Sequence, residues 1–192
     1  MCAAGMVAFL LSVGVAGQAS AGKIPQSDVE YKAHMTEVET LLKQGGDLLG
    51  SNRANDAIIP LKKALAICDA YLGEGPYTVL TLEDLGISYA TSGDFASAEA
   101  SDKRALTIAD RIYDDTNEHK IDAVANLGVL YNHLGRYKEA EHLLARALAL
   151  SEKARGASNG RTVFLRQNLS ELYKKTGRAA DAKRLNAGSA QN

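Results

Sequence analysis

The sequence contains no tryptophan, three phenylalanines and only three prolines, Pro25, Pro60 and Pro76. With so few breakers, long stretches are left in which helices run on, and abundant Ala and Leu favour helix over sheet. Neither sign of charge is in surplus. Against 22 Lys and Arg stand 23 Asp and Glu, a net of −1, so no global field steers the chain to nucleic acid or to an anionic membrane. Cysteine is almost absent too, with Cys2 near the start and Cys68 within the helical stretch LKKALAICDAY. Once the first residues are removed, a lone Cys68 makes no intrachain disulfide even in an oxidising compartment. It reads as a small buried apolar residue. What is plentiful is apolar side chain, 46 % of 192 residues, enough to bury a substantial core.

Charge is missing altogether from the opening stretch MCAAGMVAFLLSVGVAGQASAG, which has an apolar run from Met6 to Val15 and ends in Ala19-Ser20-Ala21-Gly22. Small residues at Ala19 and Ala21 suit a signal peptidase. The expectation is a signal peptide over 1–21, cleaved between Ala21 and Gly22, followed by a linker at 22–27 and a periplasmic or secreted protein. The apolar run is too short and too glycine-rich for a comfortable span, so no stable membrane span remains after cleavage. No Lys or Arg precedes that run. Either the amino terminus alone supplies the charge or the true start lies upstream, and an uncleaved anchor is the alternative to export.

Beyond this segment the chain repeats itself. Leu85, Leu127 and Leu169 are spaced by 42, as are Tyr89, Tyr131 and Tyr173, Gly93, Gly135 and Gly177, and Ala98, Ala140 and Ala182. At an offset of 41, Lys63–Ile67 matches Arg104–Ile108 and Ala57 precedes Ala98. A fixed period of this length signals stacked supersecondary units. Inside a unit, Leu82, Leu85 and Tyr89 follow helical spacing, as do Val124, Leu127 and Tyr131. The glycines at 93, 135 and 177 fall where a first helix must stop in left-handed backbone, and Asn52 stands there in the first unit. Asp94 is placed to cap the helix that follows, and Ser27 with Glu30 makes a capping-box pattern after Pro25. Gly45, Gly86, Gly128 and Ser170 each lie twelve positions ahead of Ala57, Ala98, Ala140 and Ala182, and each small pair is expected to face across its hairpin.

The Leu-Gly-x-x-Tyr of the first helices and the Ala and Ala-Leu of the second resemble the tetratricopeptide repeat (TPR). The 42-residue step and GRYKEAEHLLARALALSEKARG are most similar to the longer repeats of the kinesin light chain type. The resemblance covers roughly Thr36 to Asn186. It implies an all-α, right-handed α-solenoid of about four TPR hairpins over 28–187, in units of about 28–72, 76–113, 118–155 and 160–187, with a disordered tail at 188–192. Asp102 departs from the pattern, standing where the family has a bulky side chain and where Leu61 and Leu144 stand in other units. Ala179 likewise replaces the aromatic seen at Phe95 and Tyr137. Looser local packing is expected at both.

The four histidines form no i, i+4 ligand pair and no His-Glu-x-x-His. Gly-x-Ser-x-Gly is absent, and the glycines sit at helix ends and in turns rather than in a phosphate loop. The expectation is a chain with no catalytic residue, metal or cofactor. The spaced tyrosines are core positions rather than a base-stacking ladder, since no basic groove accompanies them. Charge is unevenly placed, however. Asp69 to Glu118 holds eleven acidic and three basic side chains, and Lys153 to Arg184 nine basic and two acidic. Ordinary solvated helix faces account for this, or else a polarised molecule that docks an opposite partner or stacks head to tail.

In the TPR family, first helices line a concave groove that commonly binds extended peptides. The resemblance implies groove positions at Glu83, Asp84 and Ile87, then Asp122, Asn126, Val129 and His133, then Phe164, Gln167, Asn168 and Glu171. Asn126 and Asn168 share one register position, and an amide can donate to and accept from a peptide backbone together. Members that grip a C-terminal carboxylate use Lys and Asn in one unit; the matching positions here are Leu42 and Gly46, so that clamp is not expected. Together these readings describe an exported adaptor for a protein or peptide, with a self-assembling scaffold as the alternative and weak self-association as its consequence.

Overall fold

The computed structural model describes residues 27–187. The expected signal at 1–21, all but the last residue of the 22–27 linker and the tail at 188–192 lie outside them. The described residues form eight α-helices that fold as four hairpins: α1 (Asp28–Gly50) with α2 (Ala54–Ile67), α3 (Pro76–Thr91) with α4 (Phe95–Ile112), α5 (Glu118–His133) with α6 (Tyr137–Arg155), and α7 (Gly160–Lys175) with α8 (Ala179–Ala187). A π-helical turn, Cys68–Leu72, prolongs α2; it is closed by the Gly73 N–H donating to the Cys68 carbonyl at 2.8 Å. No strand occurs among the described residues, and none of their helices is long and apolar enough to cross a membrane. The hairpins stack in sequence order into a right-handed α-solenoid. First helices pack on first helices, α1 on α3, α3 on α5 and α5 on α7, which creates the concave face.

Local chemistry stops and starts the helices. Gly93, Gly135 and Gly177 have φ of 83°, 74° and 79°, and Asn52, the one described non-glycine residue with positive φ, has 58°. Asp94 accepts the Ser97 N–H at 3.1 Å, and Ser27 Oγ accepts that of Glu30 at 3.2 Å. Around Gly135 a Cβ would meet nothing within 4 Å, so Gly135→Ala is expected to cost only the left-handed backbone, about 1 kcal/mol. Thermal unfolding checks this, and a loss of several kcal/mol would mean that Gly135 has a packing role.

Close packing within hairpins follows a different register from the expected one. A Cβ on Gly45 would come within 2.5 Å of Leu61 Cδ2, and one on Gly128 within 3.1 Å of Leu144 Cγ. A Cβ on Gly86 would overlap the Asp102 carboxylate, and Ser170 Oγ accepts from Asn186 Nδ2 at 3.1 Å. Each small residue therefore faces the position sixteen further on rather than twelve. Ala57, Ala98, Ala140 and Ala182 are buried, but they are not the nearest atoms across the hairpin. The second helix is antiparallel, so the residue opposite depends on the length of the turn between the helices as well as on helical spacing.

The uneven charge is matched between units. Asp69 pairs with Arg104 and Asp110 with Arg146; Glu99 pairs with Arg136 at 2.8 Å and Glu141 with Arg178 at 2.7 Å; Asp122 pairs with Arg161. In all five the carboxylate comes from the earlier unit and the arginine from the next. Glu74–Arg111 and Glu118–Arg155 close the bases of the second and third hairpins in the same sense. Half-exposed pairs of this kind contribute about 0–1 kcal/mol each, so they align neighbouring hairpins more than they hold them. Stability rests on the apolar seams, above all the cluster of Ile121, Val124, Leu127, Leu130, Leu144, Leu165 and Leu169.

Candidate binding groove

A cavity of about 400 Å³ opens on the concave face between α3 and α5. Ile87, Ala90 and Thr91 of α3 form one wall, and Asn126, Val129, Leu130 and His133 of α5 the other; Gly86, Phe95 and Asp102 complete it. Four of the eleven groove positions, Ile87, Asn126, Val129 and His133, thus share one space. Helical spacing brings Asn126, Val129 and His133 to one face of α5. Phe95 and Ile87 are among the exposed large apolar side chains.

The other groove positions do not line this cavity. Asp122 borders a smaller cleft of about 150 Å³ with Glu118, Ile121, Arg155 and Arg161. Gln167 lines another on the fourth hairpin beside Arg166 and Asn186. Phe164 is exposed, with the Arg161 guanidinium 5.8 Å from its ring centroid, and Glu171 is exposed. Asn168, although in register with Asn126, donates from Nδ2 to the Phe164 carbonyl at 2.9 Å, one turn back on its own helix. Its amide is thereby partly engaged, and the two asparagines are not equivalent.

Electrostatically, the N-terminal half of the groove is marked by the buried or partly buried carboxyl groups of Glu83, Asp84 and Asp102. Glu83 is 7 % exposed, with Oε1 lacking a hydrogen-bond partner among the described residues. Its Oε2 lies 3.6 Å from His119 Nδ1. Burial first, then the Asp122 and Asp84 carboxylates, push Glu83 up to about 9. Burial alone lifts Asp84 to about 6 and Asp102 to about 7. Such groups resist ionisation because the charged form has lost its water. Among the described residues no cluster of His, Cys, Asp or Glu is arranged to hold a metal ion.

Residues 37–111 and 121–187 match the family model described as tetratricopeptide repeat. The chain belongs to the TPR family. Solved structures share its fold. The nearly identical TPR-like repeats of a kinesin light chain from Podosopora anserina superpose with a TM-score of 0.74 at 17 % identity, over 81 % of this chain and 74 % of that one. BtubC (BKLC) from P. vanneervenii gives 0.64 at 18 %, over 86 % and 74 %; MamA gives 0.60 at 19 %, over 85 % and 84 %. No curated protein matches the chain in sequence. TPR proteins are generally non-enzymatic and bind protein partners, and this TPR protein is accordingly a protein-interaction module.

Asp102, Phe95 and Gly86 are cavity residues that the groove register did not include. A signal for them was present: an aspartate at a position that holds Leu61 and Leu144 in other units announces missing volume. That the missing volume opens into the groove is a matter of where α4 lies behind α3 and α5.

Proposed function

We propose that this TPR protein is an exported, non-catalytic adaptor that holds an extended segment of a partner protein in its concave groove, with Asn126 orienting the segment's backbone. The observation that carries the proposal is the cavity between α3 and α5, where Ile87, Asn126, Val129 and His133 converge. An apolar recess with a few convergent polar groups is the usual form of a recognition site. Export is supported by the uncharged opening stretch and Ala19-Ser20-Ala21; a mature amino terminus at Gly22 in the exported fraction checks it. Because many charges of both stretches are paired inside the chain, mostly with residues of the neighbouring unit, charge gives stacking of copies little support. A mass that does not change with concentration is expected.

Affinity capture with residues 22–192 tests the groove. Asn126→Ala is expected to lose the captured partner, and Asn168→Ala to weaken capture only slightly because its amide already serves its own helix. Equal capture by the parent protein and Asn126→Ala would move the binding surface off the groove.

A further inference from the structure

Leu61 and Leu144 fill the space beside Gly45 and Gly128 in the first and third hairpins. In the second hairpin Gly86 faces Asp102 instead, and both residues line the 400 Å³ cavity. Asp102 is 3 % exposed, and its Oδ1 has no hydrogen-bond partner among the described residues. A buried carboxylate is tolerated when a cation joins it and is unfavourable alone. The cavity is half of an ion pair with room for the other half.

We infer that this cavity receives the side chain of a lysine presented by the partner segment, its ammonium against Asp102 and its methylene stem between Ile87, Ala90, Val129 and Leu130. The inference rests on the groove reading above and names what that groove selects. Two features favour lysine. The walls are apolar, as a stem of four methylenes requires, while the charged head meets the one carboxylate at the floor. Phe95, exposed beside the cavity, offers a ring face to a passing cation. A wholly apolar side chain would leave Asp102 as it is. Burial holds Asp102 near 7, and a seated ammonium would favour its ionised form.

The test uses n-pentylammonium and its neutral counterpart n-pentanol, titrated at about pH 8, where Asp102 is mostly ionised, and followed at the backbone amides of Gly86, Asn126 and Leu130. The parent protein is expected to bind pentylammonium about tenfold more tightly than Asp102→Asn does, while pentanol binds both alike. Asp102→Leu, which removes the carboxylate and narrows the cavity, is expected to bind pentylammonium no more tightly than Asp102→Asn does; melting curves of both variants establish that they are folded. Equal binding of pentylammonium by the parent protein and Asp102→Asn would overturn the inference, as would pentanol matching pentylammonium in the parent protein. The capture assay separates the two readings. Capture lost in Asn126→Ala but retained in Asp102→Asn keeps the groove and overturns the lysine; capture indifferent to Asn126→Ala overturns the groove, and with it the partner-borne lysine.

Discussion

Leu127→Ala is expected to destabilise the protein by about 2–5 kcal/mol. Leu127 is 4 % exposed and sits in the seam formed by α5, α6 and α7 with Leu130, Leu144, Leu165 and Leu169. Its neighbour Gly128 already lets Leu143 and Leu144 approach a Cβ position to 3.1 Å, so α5 and α6 are at contact and cannot close over the lost methyls. The cavity remains, and its cost adds to the lost transfer free energy. A solenoid has only nearest-neighbour seams, so weakening α5 loosens the third hairpin from both neighbours. Urea unfolding should show a lower midpoint. A loss under about 1 kcal/mol would mean that Leu127 is not packed as placed.

Asp102→Leu should do the opposite, stabilising the protein by about 2–4 kcal/mol at pH 8 and much less near pH 4. The sign follows from linkage. Burial raises Asp102 from 3.8 in water to about 7 in the folded chain, so the folded state holds its proton more tightly than the unfolded state does. Below the unfolded value both states are protonated and nothing is lost. As pH rises from about 4 to about 7 the unfolded chain releases the proton first, and stability falls by about 1.4 kcal/mol for each unit of difference. Above that window the loss is complete. Glu83, raised to about 9, prolongs the decline in both proteins. Gly86 has already cleared the space for a leucine, as Gly45 does for Leu61, so little overpacking opposes the gain. Melting temperatures of the parent protein and variant should therefore converge in acid and separate in mild alkali. A constant offset across pH would assign the gain to apolar filling alone and remove the buried charge from the account. The same variant removes the carboxylate from the cavity, so stability is expected to rise as amine binding is lost, the trade-off that functional sites impose.

How much of this was legible beforehand differs between fold and site. The hairpin count and the TPR assignment were carried by Leu85, Leu127 and Leu169, by the three tyrosines and by the three glycines, all in fixed step. The groove positions were legible as a register, and four of them do share a cavity. That Asn126 faces the cavity while Asn168 bonds to its own helix was not legible, because the two occupy identical places in the repeat. Nor was the pairing across each hairpin: twelve looked right from the agreement of small residues, and sixteen is what antiparallel packing brings opposite. Asp102 was visible only as a departure.

Left to itself, the sequence determined where helices begin and stop, which faces are apolar and how many times the unit recurs. Those features depend on residues within one turn of each other: left-handed glycine or asparagine, a capping carboxylate, leucines three and four apart. Tertiary structure alone decided which carboxylates meet arginines one unit on, and that Asp102 does not meet one. Such pairs join residues 35 to 39 positions apart in the chain, as Asp69 with Arg104 and Asp122 with Arg161. Whether a charge finds its partner, its water or neither depends on the stacking of whole hairpins.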